Sequence, residues 1–145
     1  MKEIITINNQ AEFDAIPCDA NVIADIHAKD IEINRCDIVI WLSDDSSAIL
    51  RHDSEATLFD NSSAVLYDSC KAELFGNSKV ELCDDSEAIL NDSSEGIFYN
   101  YSKGTAYNNS KVIIKGYNKV KLHDYSVAEI CKPNHKDTAT IEIMP

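Results

Sequence analysis

Thirteen carboxylates fall between residues 43 and 95, eight aspartates and five glutamates, against Arg51, Lys71 and Lys79 alone. Acids this dense support two kinds of chemistry. Converging on a point, they hold calcium; set in an evenly spaced row, they imitate a phosphate backbone for a basic partner. Calcium-binding repeats rely on Gly-rich turns in which several carbonyls and an Asp meet the ion. This chain has 4 glycines, and only Gly76 and Gly116 fall in turn positions. A Ca-binding repeat protein is therefore an alternative, and the row is the first reading. Its members are Asp44, Asp45, Asp60, Asp68, Asp84, Asp85 and Asp92. Other reactive types offer less. His27, His52, His123 and His135 are scattered, and no Cys or His pair has zinc-ligand spacing. Serine recurs in one column, where no singular base activates any one hydroxyl. No catalytic residue, metal or cofactor is expected, and the chain reads as a non-enzyme.

The charge is unevenly spread. Residues 43–95 carry a net of −10, thirteen acids less three bases, whereas 96–130 set five lysines against Asp124 and Glu129, a net of +3. Residues 1–42 hold eight acids and three bases, a net of −5. An acidic head of that size repels nucleic acid and anionic membrane over a Debye length of about 8–10 Å. Direct nucleic-acid binding has only a local case, in Tyr99, Tyr101, Tyr107, Tyr117 and Tyr125 among the lysines; the alternative is that these rings stack on one another. The 5 cysteines are odd in number and occupy unlike places, which predicts free thiols in a reducing cytoplasm. No run of about 18 apolar residues exists for a membrane span.

What must position these acids is a repeat. From Ser43 to Ile130 the chain reads as eleven octads, SDDSSAIL, RHDSEATL, FDNSSAVL and onward to HDYSVAEI. Place four is Ser in nine of eleven, with Cys70 and Asn118 the exceptions; place six is Ala, Val or Gly; place eight is mostly Leu. Places four, six and eight alternate with polar or mixed places, the period of a strand with one buried face. Places one to three carry Asp, Asn and Gly, which is turn chemistry. Such strands bury their apolar face only by stacking coil on coil. The prediction is an all-β parallel β-solenoid.

Charge chooses the coil length. With 16 residues per coil, place five stacks Glu55, Lys71, Glu87, Lys103 and Lys119 on one face, and Lys79, Glu95 and Lys111 on the other. That gives more opposite-sign neighbours than three octads per coil would. Two octads per coil are therefore predicted. Phe98, the one aromatic in column eight, is accompanied by Gly96, Gly104 and Ala106, small entries that make room for its ring.

The whole chain, 1–145, reads as one domain: an N-terminal cap and irregular first coils over 1–42, the octads over 43–130, a C-terminal cap over 131–145. Asn9 and Glu12 form a capping-box-like start to a short helix that presents Phe13 and Ile16 and stops at Pro17. TATIEI reads as a last strand. In the two-octad coil, place seven of one face stacks Ile49, Val65, Glu81, Ile97 and Ile113 outward. That apolar row of Ile49, Val65, Ile97 and Ile113 is a candidate interface for an antiparallel side-by-side homodimer, unless the N-terminal segment or Trp41 covers it.

The phrase DNSSAVLYDS at 60–69 and the opening IITINNQAEFDAIP resemble the octapeptide-repeat proteins of bacteriophage and gut-bacterial genomes. The resemblance spans nearly the whole chain, speaks to architecture, and brings no catalytic residue with it. It implies a phage- or mobile-element-encoded protein. The expected function is an acidic protein-binding module that inhibits a host nucleic-acid-binding protein by imitating a phosphate row. The alternative is a structural virion or scaffold component acting by self-assembly.

Overall fold

The computed structural model describes residues 1–35, 37–131 and 139–145. Its elements are β1 (Glu3–Ile7), α1 (Gln10–Asp14), β2 (Val22–Ile26), β3 (Ile31–Ile33), β4 (Val39–Leu42), β5 (Ser47–Leu50), β6 (Glu55–Leu58), β7 (Ser63–Leu66) and β8 (Lys71–Leu74). There follow β9 (Lys79–Leu82), β10 (Glu87–Leu90), β11 (Glu95–Asn100), β12 (Lys103–Ala106), β13 (Lys111–Gly116), β14 (Lys119–Leu122), β15 (Val127–Ile130) and β16 (Thr140–Ile143). Alternate strands fall into alternate sheets. One sheet of nine strands runs β1-β2-β4-β6-β8-β10-β12-β14-β16, the other of seven runs β15-β13-β11-β9-β7-β5-β3. Every pairing is parallel, and Glu55 stands opposite Lys71 while Ser47 stands opposite Ser63. This is the predicted β-solenoid with two octads, 16 residues, in each coil.

The octad explains each corner. Place two has left-handed backbone at Asp44, His52, Asp60, Asp68, Gly76, Asp84, Asp92, Asn100, Asn108 and Asp124, with φ between 53 and 69°. Asp, Asn and Gly are the residues that adopt this region most cheaply, so the turn chemistry of the sequence has a definite backbone cause. The N–H of place four then bonds the carbonyl of place one, as from Ser62 to Phe59 at 3.1 Å and Ser94 to Asn91 at 3.2 Å. Serine suits place four because its hydroxyl can reach that same carbonyl. Ser86, Ser94, Ser102 and Ser110 donate to Cys83, Asn91, Tyr99 and Tyr107 at 2.6–2.9 Å. A buried hydroxyl is thereby satisfied within its own turn. Asn118, the exception, donates from its amide to the Ser102 hydroxyl at 2.9 Å and so ties two coils together.

Columns four, six and eight form the core between the sheets. Leu50, Leu58, Leu66, Leu74, Leu82 and Leu90 are all fully buried. Phe98 is buried as well, against two glycines. A Cβ built on Gly104 would stand 2.3 Å from the ring, and one on Gly96 would stand 2.6 Å away. The ring occupies the space that the small residues leave.

The helix at the N-terminal end forms as its sequence predicts. Asn9 caps it, accepting from the Glu12 N–H at 3.0 Å, and the Glu12 carboxylate reaches back to the Asn8 N–H at 2.8 Å. Phe13 and Ile16 are buried in the first coils. Gln10 closes the edge of β3: its amide oxygen takes the Glu32 N–H at 2.8 Å and its amide nitrogen gives to the Glu32 carbonyl at 3.0 Å. Arg35 fastens the segment after the helix, donating to the Ile16 and Pro17 carbonyls at 2.8 and 3.0 Å. At the far end the last four residues of TATIEI form β16, the expected last strand. No helix among the described residues is long and apolar enough to cross a membrane.

Candidate functional site

The strand acids and the turn acids have different fates. All five glutamates of 43–95 lie on outward strand positions. Stacking at 16 residues brings lysines to three of them: Lys71 to Glu55 at 3.8 Å, Lys79 to Glu95 at 3.7 Å and Lys103 to Glu87 at 3.3 Å. All eight aspartates lie in turns, at places two and three. Among the described residues, Asp44 meets His27 at 2.7 Å and Asp68 meets His52 at 3.7 Å, while no ion pair reaches Asp45, Asp60, Asp84, Asp85 or Asp92. The broad faces are largely charge-paired, and unneutralised charge collects at the corners.

There are two corners, and the expected row divides between them. Asp44, Asp45, Asp60 and Asp92 lie where the chain passes from the nine-strand sheet to the seven-strand sheet. Asp68, Asp84 and Asp85 lie where it passes back. The physical reason is parity. Octads eight residues apart sit on opposite corners, and only residues 16 apart stack. All seven side chains are exposed. Along one corner neighbours rise by about 4.8 Å per coil, and a strand of four residues holds the corners some 13 Å or more apart. The site is thus two short acidic edges on a stiff blade.

The aspartates also serve the fold. A place-two carboxylate accepts the place-two N–H of the coil before it: His52 to Asp68 at 3.1 Å, Gly76 to Asp92 at 3.0 Å, Asn108 to Asp124 at 3.3 Å. This ladder was not anticipated from sequence. Its signal is the pairing of left-handed turn residues 16 apart, legible only once the coil length is known. Among the described residues no group of three or more His, Cys, Asp or Glu side chains is arranged to hold a metal ion.

The apolar row forms in register, with Ile49 opposite Val65, Val65 opposite Glu81, Glu81 opposite Ile97, and Ile97 opposite Ile113. Its four apolar members are half-buried, and Ile49, Val65 and Ile97 line a shallow trough of about 410 Å³ with Lys79 and Glu95 beside it. Trp41 does not cover them. It lies on β4, opposite Thr57 in the other sheet. The α1 segment closes the edge of β3 and is not laid along the row.

In the basic third, Tyr101 and Tyr117 stack with centroids 5.5 Å apart, and Tyr107 stacks on His123 at 4.5 Å. Lys115 stands over the Tyr99 ring at 5.3 Å. Of the five tyrosines, Tyr101 and Tyr117 stack on each other, as anticipated in the alternative to a single-strand platform; Tyr107 stacks on a histidine instead. Cys18, Cys70, Cys83 and Cys131 are free thiols; Cys36 and His135 lie outside the described residues. Burial pushes the Cys70 and Cys83 thiols above their ordinary pKa, which keeps them protonated. Comparison with protein-family models, curated proteins and solved structures finds no match to this chain.

Proposed function

We propose that the protein is a non-enzymatic binding module whose acidic edges dock on a basic protein surface. In the setting that the octapeptide-repeat resemblance implies, that surface belongs to a host nucleic-acid-binding protein, which the module inhibits by occupying it. The observation that carries this reading is the contrast within the repeat. The left-handed place two is filled by Asn100, Asn108 and Gly76 in some octads and by Asp44, Asp60, Asp68, Asp84 and Asp92 in others. Neutral residues therefore serve the same left-handed turn, so the turn geometry by itself does not require the charge. The acidic half nevertheless stacks Asp44 near Asp60 and Asp68 near Asp84, like charges on neighbouring coils, which disfavours the fold. A partner that gathers the charge offsets that cost.

The test compares two variants with equal charge removed. In one, Asp45, Asp60, Asp84, Asp85 and Asp92 become Asn. In the other, Glu55, Glu73, Glu81, Glu87 and Glu95 become Gln. Binding of a labelled oligolysine peptide is followed by anisotropy from 50 to 300 mM salt. The edge variant should lose at least tenfold in affinity and flatten the salt dependence, and the face variant should lose clearly less. Equal losses would show that only net charge matters and would sink the edge assignment.

A further inference from the structure

The two ends of the solenoid are not alike. At the N-terminal end α1 buries Phe13, the segment after it buries Ile16, and Gln10 takes both backbone groups of Glu32 at the edge of β3. At the C-terminal end β15 and β16 each have one strand neighbour, β13 and β14. Their column-eight residues are exposed. Ile130 is 53% exposed and Ile143 is 79% exposed, whereas Ile114 and Leu122, one coil earlier in the same columns, are 1% and 8% exposed.

The backbone is open there too. Val127 and Cys131 give their N–H groups back to Ser110 and Ile114, and Thr140 and Met144 give theirs back to Asn118 and Leu122. A strand alternates the side to which it bonds. Ala128 and Ile130, with Ile141 and Ile143, therefore turn their N–H and C=O groups to the free edge. The outward charges at this end are matched at home: Glu129 with Lys111 at 3.2 Å and Glu142 with Lys121 at 3.9 Å. Among the described residues of this edge, no unpaired or inward-pointing charge stands on β15 or β16 to protect them from pairing.

We propose that this end is a self-association surface: two copies join tail to tail across a two-fold axis, β15 and β16 of each continuing the sheets of the other. A two-fold that brings these ends together lies perpendicular to the solenoid axis. Because β15 and β16 run in opposite directions, any such axis sets the new pairs antiparallel, so one operation supplies hydrogen-bond partners to both free edges. A head-to-tail filament is blocked, since α1 and Gln10 close the seven-strand sheet at the other end. Charge favours the same occupant. Residues 43–95 carry the net −10 and the tail-side residues 96–130 the net +3. Tail-to-tail docking keeps the acidic halves separated by several coils, at about 4.8 Å each, which exceeds a Debye length of about 8–10 Å. The contact is small beside the ~1,200–2,000 Å² of a tight complex, so dissociation in the micromolar range is expected. Apolar exposure is greater here than on the half-buried flank row, and self-association is assigned to the tail.

Sedimentation equilibrium on the full chain from 5 to 500 µM tests this. The expected result is a concentration-dependent rise from the 16.1 kDa monomer towards the dimer and no further. Ile143→Lys should abolish the rise while leaving the melting temperature in place, because that side chain is largely solvated already. Ile97→Lys with Ile113→Lys, on the flank, should leave it intact. The proposal is overturned by a monomer at 500 µM, by continued growth beyond the dimer, or by loss of association in the flank variant and not in Ile143→Lys.

Discussion

Adding a single methyl group at residue 104 distinguishes two opposed effects. Gly104 lies in β12 with ordinary strand backbone, where Ala fits without dihedral strain. In isolation Gly→Ala at such a position stabilises by about 0.4–1 kcal/mol, because the unfolded chain has less freedom to lose. Packing says the reverse. The new Cβ would stand 2.3 Å from Cε2 and Cζ of Phe98 and 3.1 Å from the Ala88 carbonyl oxygen. Carbon atoms settle at about 3.5–4.0 Å, so the ring would have to retreat by more than about 1 Å. It has nowhere to go, since its Cε1 already lies 2.6 Å from where a Cβ of Gly96 would be. Overpacking of this kind costs about 1–3 kcal/mol, which outweighs the backbone gain and leaves a net loss of about 1–2 kcal/mol. At this chain length that is a fall of roughly 3–8 °C in melting temperature. Phe98→Leu, the residue usual in that column, should itself cost about 1–2 kcal/mol for the space it leaves. Gly104→Ala in the Phe98→Leu background should then be neutral or stabilising, a coupling of about 1–2 kcal/mol. Thermal and urea melts of the four proteins read the cycle. A single Gly104→Ala variant more stable than wild type would refute the argument that the ring requires the glycine.

Other consequences follow from the same geometry. Leu74→Ala should cost about 2–5 kcal/mol, since Leu74 is fully buried between neighbouring coils; an unchanged denaturation midpoint would mean that column eight is not interior. Hydrogen bonds to Asp25 first and Asp44 second raise the His27 pKa above 6.5, opposed by partial burial. Its contribution to stability is therefore present below pH 6.5 and lost as pH rises through the raised value. The melting difference between wild type and His27→Gln should be larger at pH 5.5 than at pH 8.5, and a difference independent of pH would contradict it. Gly76→Ala should destabilise by about 1 kcal/mol, because Gly76 has φ +69° and an added Cβ would press on the Asp60 backbone at 3.2 Å. Asp60→Gly, with φ 56°, should be close to neutral by the same melts.

The solenoid was legible because it follows from a period. Once places four, six and eight point inward, nothing but stacking can cover them. The coil length came from one outward column, and Lys71 beside Glu55 and Lys103 beside Glu87 show why: at one coil's spacing, alternating sign is an interaction. Phe98 and its glycines were legible because volume is conserved locally. The corners were less so. Aspartate marks a turn, but the left-handed place two and the carboxylate ladder from Asp68 to the His52 N–H depend on residues 16 apart. The seven aspartates read as one row because adjacent octads look alike in sequence, while in space they face opposite ways. The open tail was hidden for a different reason. TATIEI continues the apolar alternation, and only the three-dimensional structure shows that Ile143 is largely exposed.

The segregation of Asp to the edges and Glu to the faces has one physical origin, and it limits what charge pairing can do. A strand position is extended, so a long Glu or Lys lies flat and meets its neighbour one coil away. The faces can therefore be neutralised by alternating sign, as Lys79 and Glu95 do. A place-two residue must hold a left-handed backbone, which Lys and Arg adopt only with strain and which Asp, Asn and Gly adopt readily. Alternation of sign is thus not open to the corners. Their choice is between Asp and neutrality, octad by octad. The chain takes neutrality at Gly76, Asn100 and Asn108 and takes charge at Asp44, Asp60, Asp68, Asp84 and Asp92. A single histidine, His52, departs from the scheme, and it stands 3.7 Å from Asp68. Turn geometry permits both; like-charge stacking disfavours Asp, and the carboxylate bonds to the N–H groups of the preceding coil favour it. The basic partner proposed above would supply a further reason for charge at these edges, one that stacking alone does not.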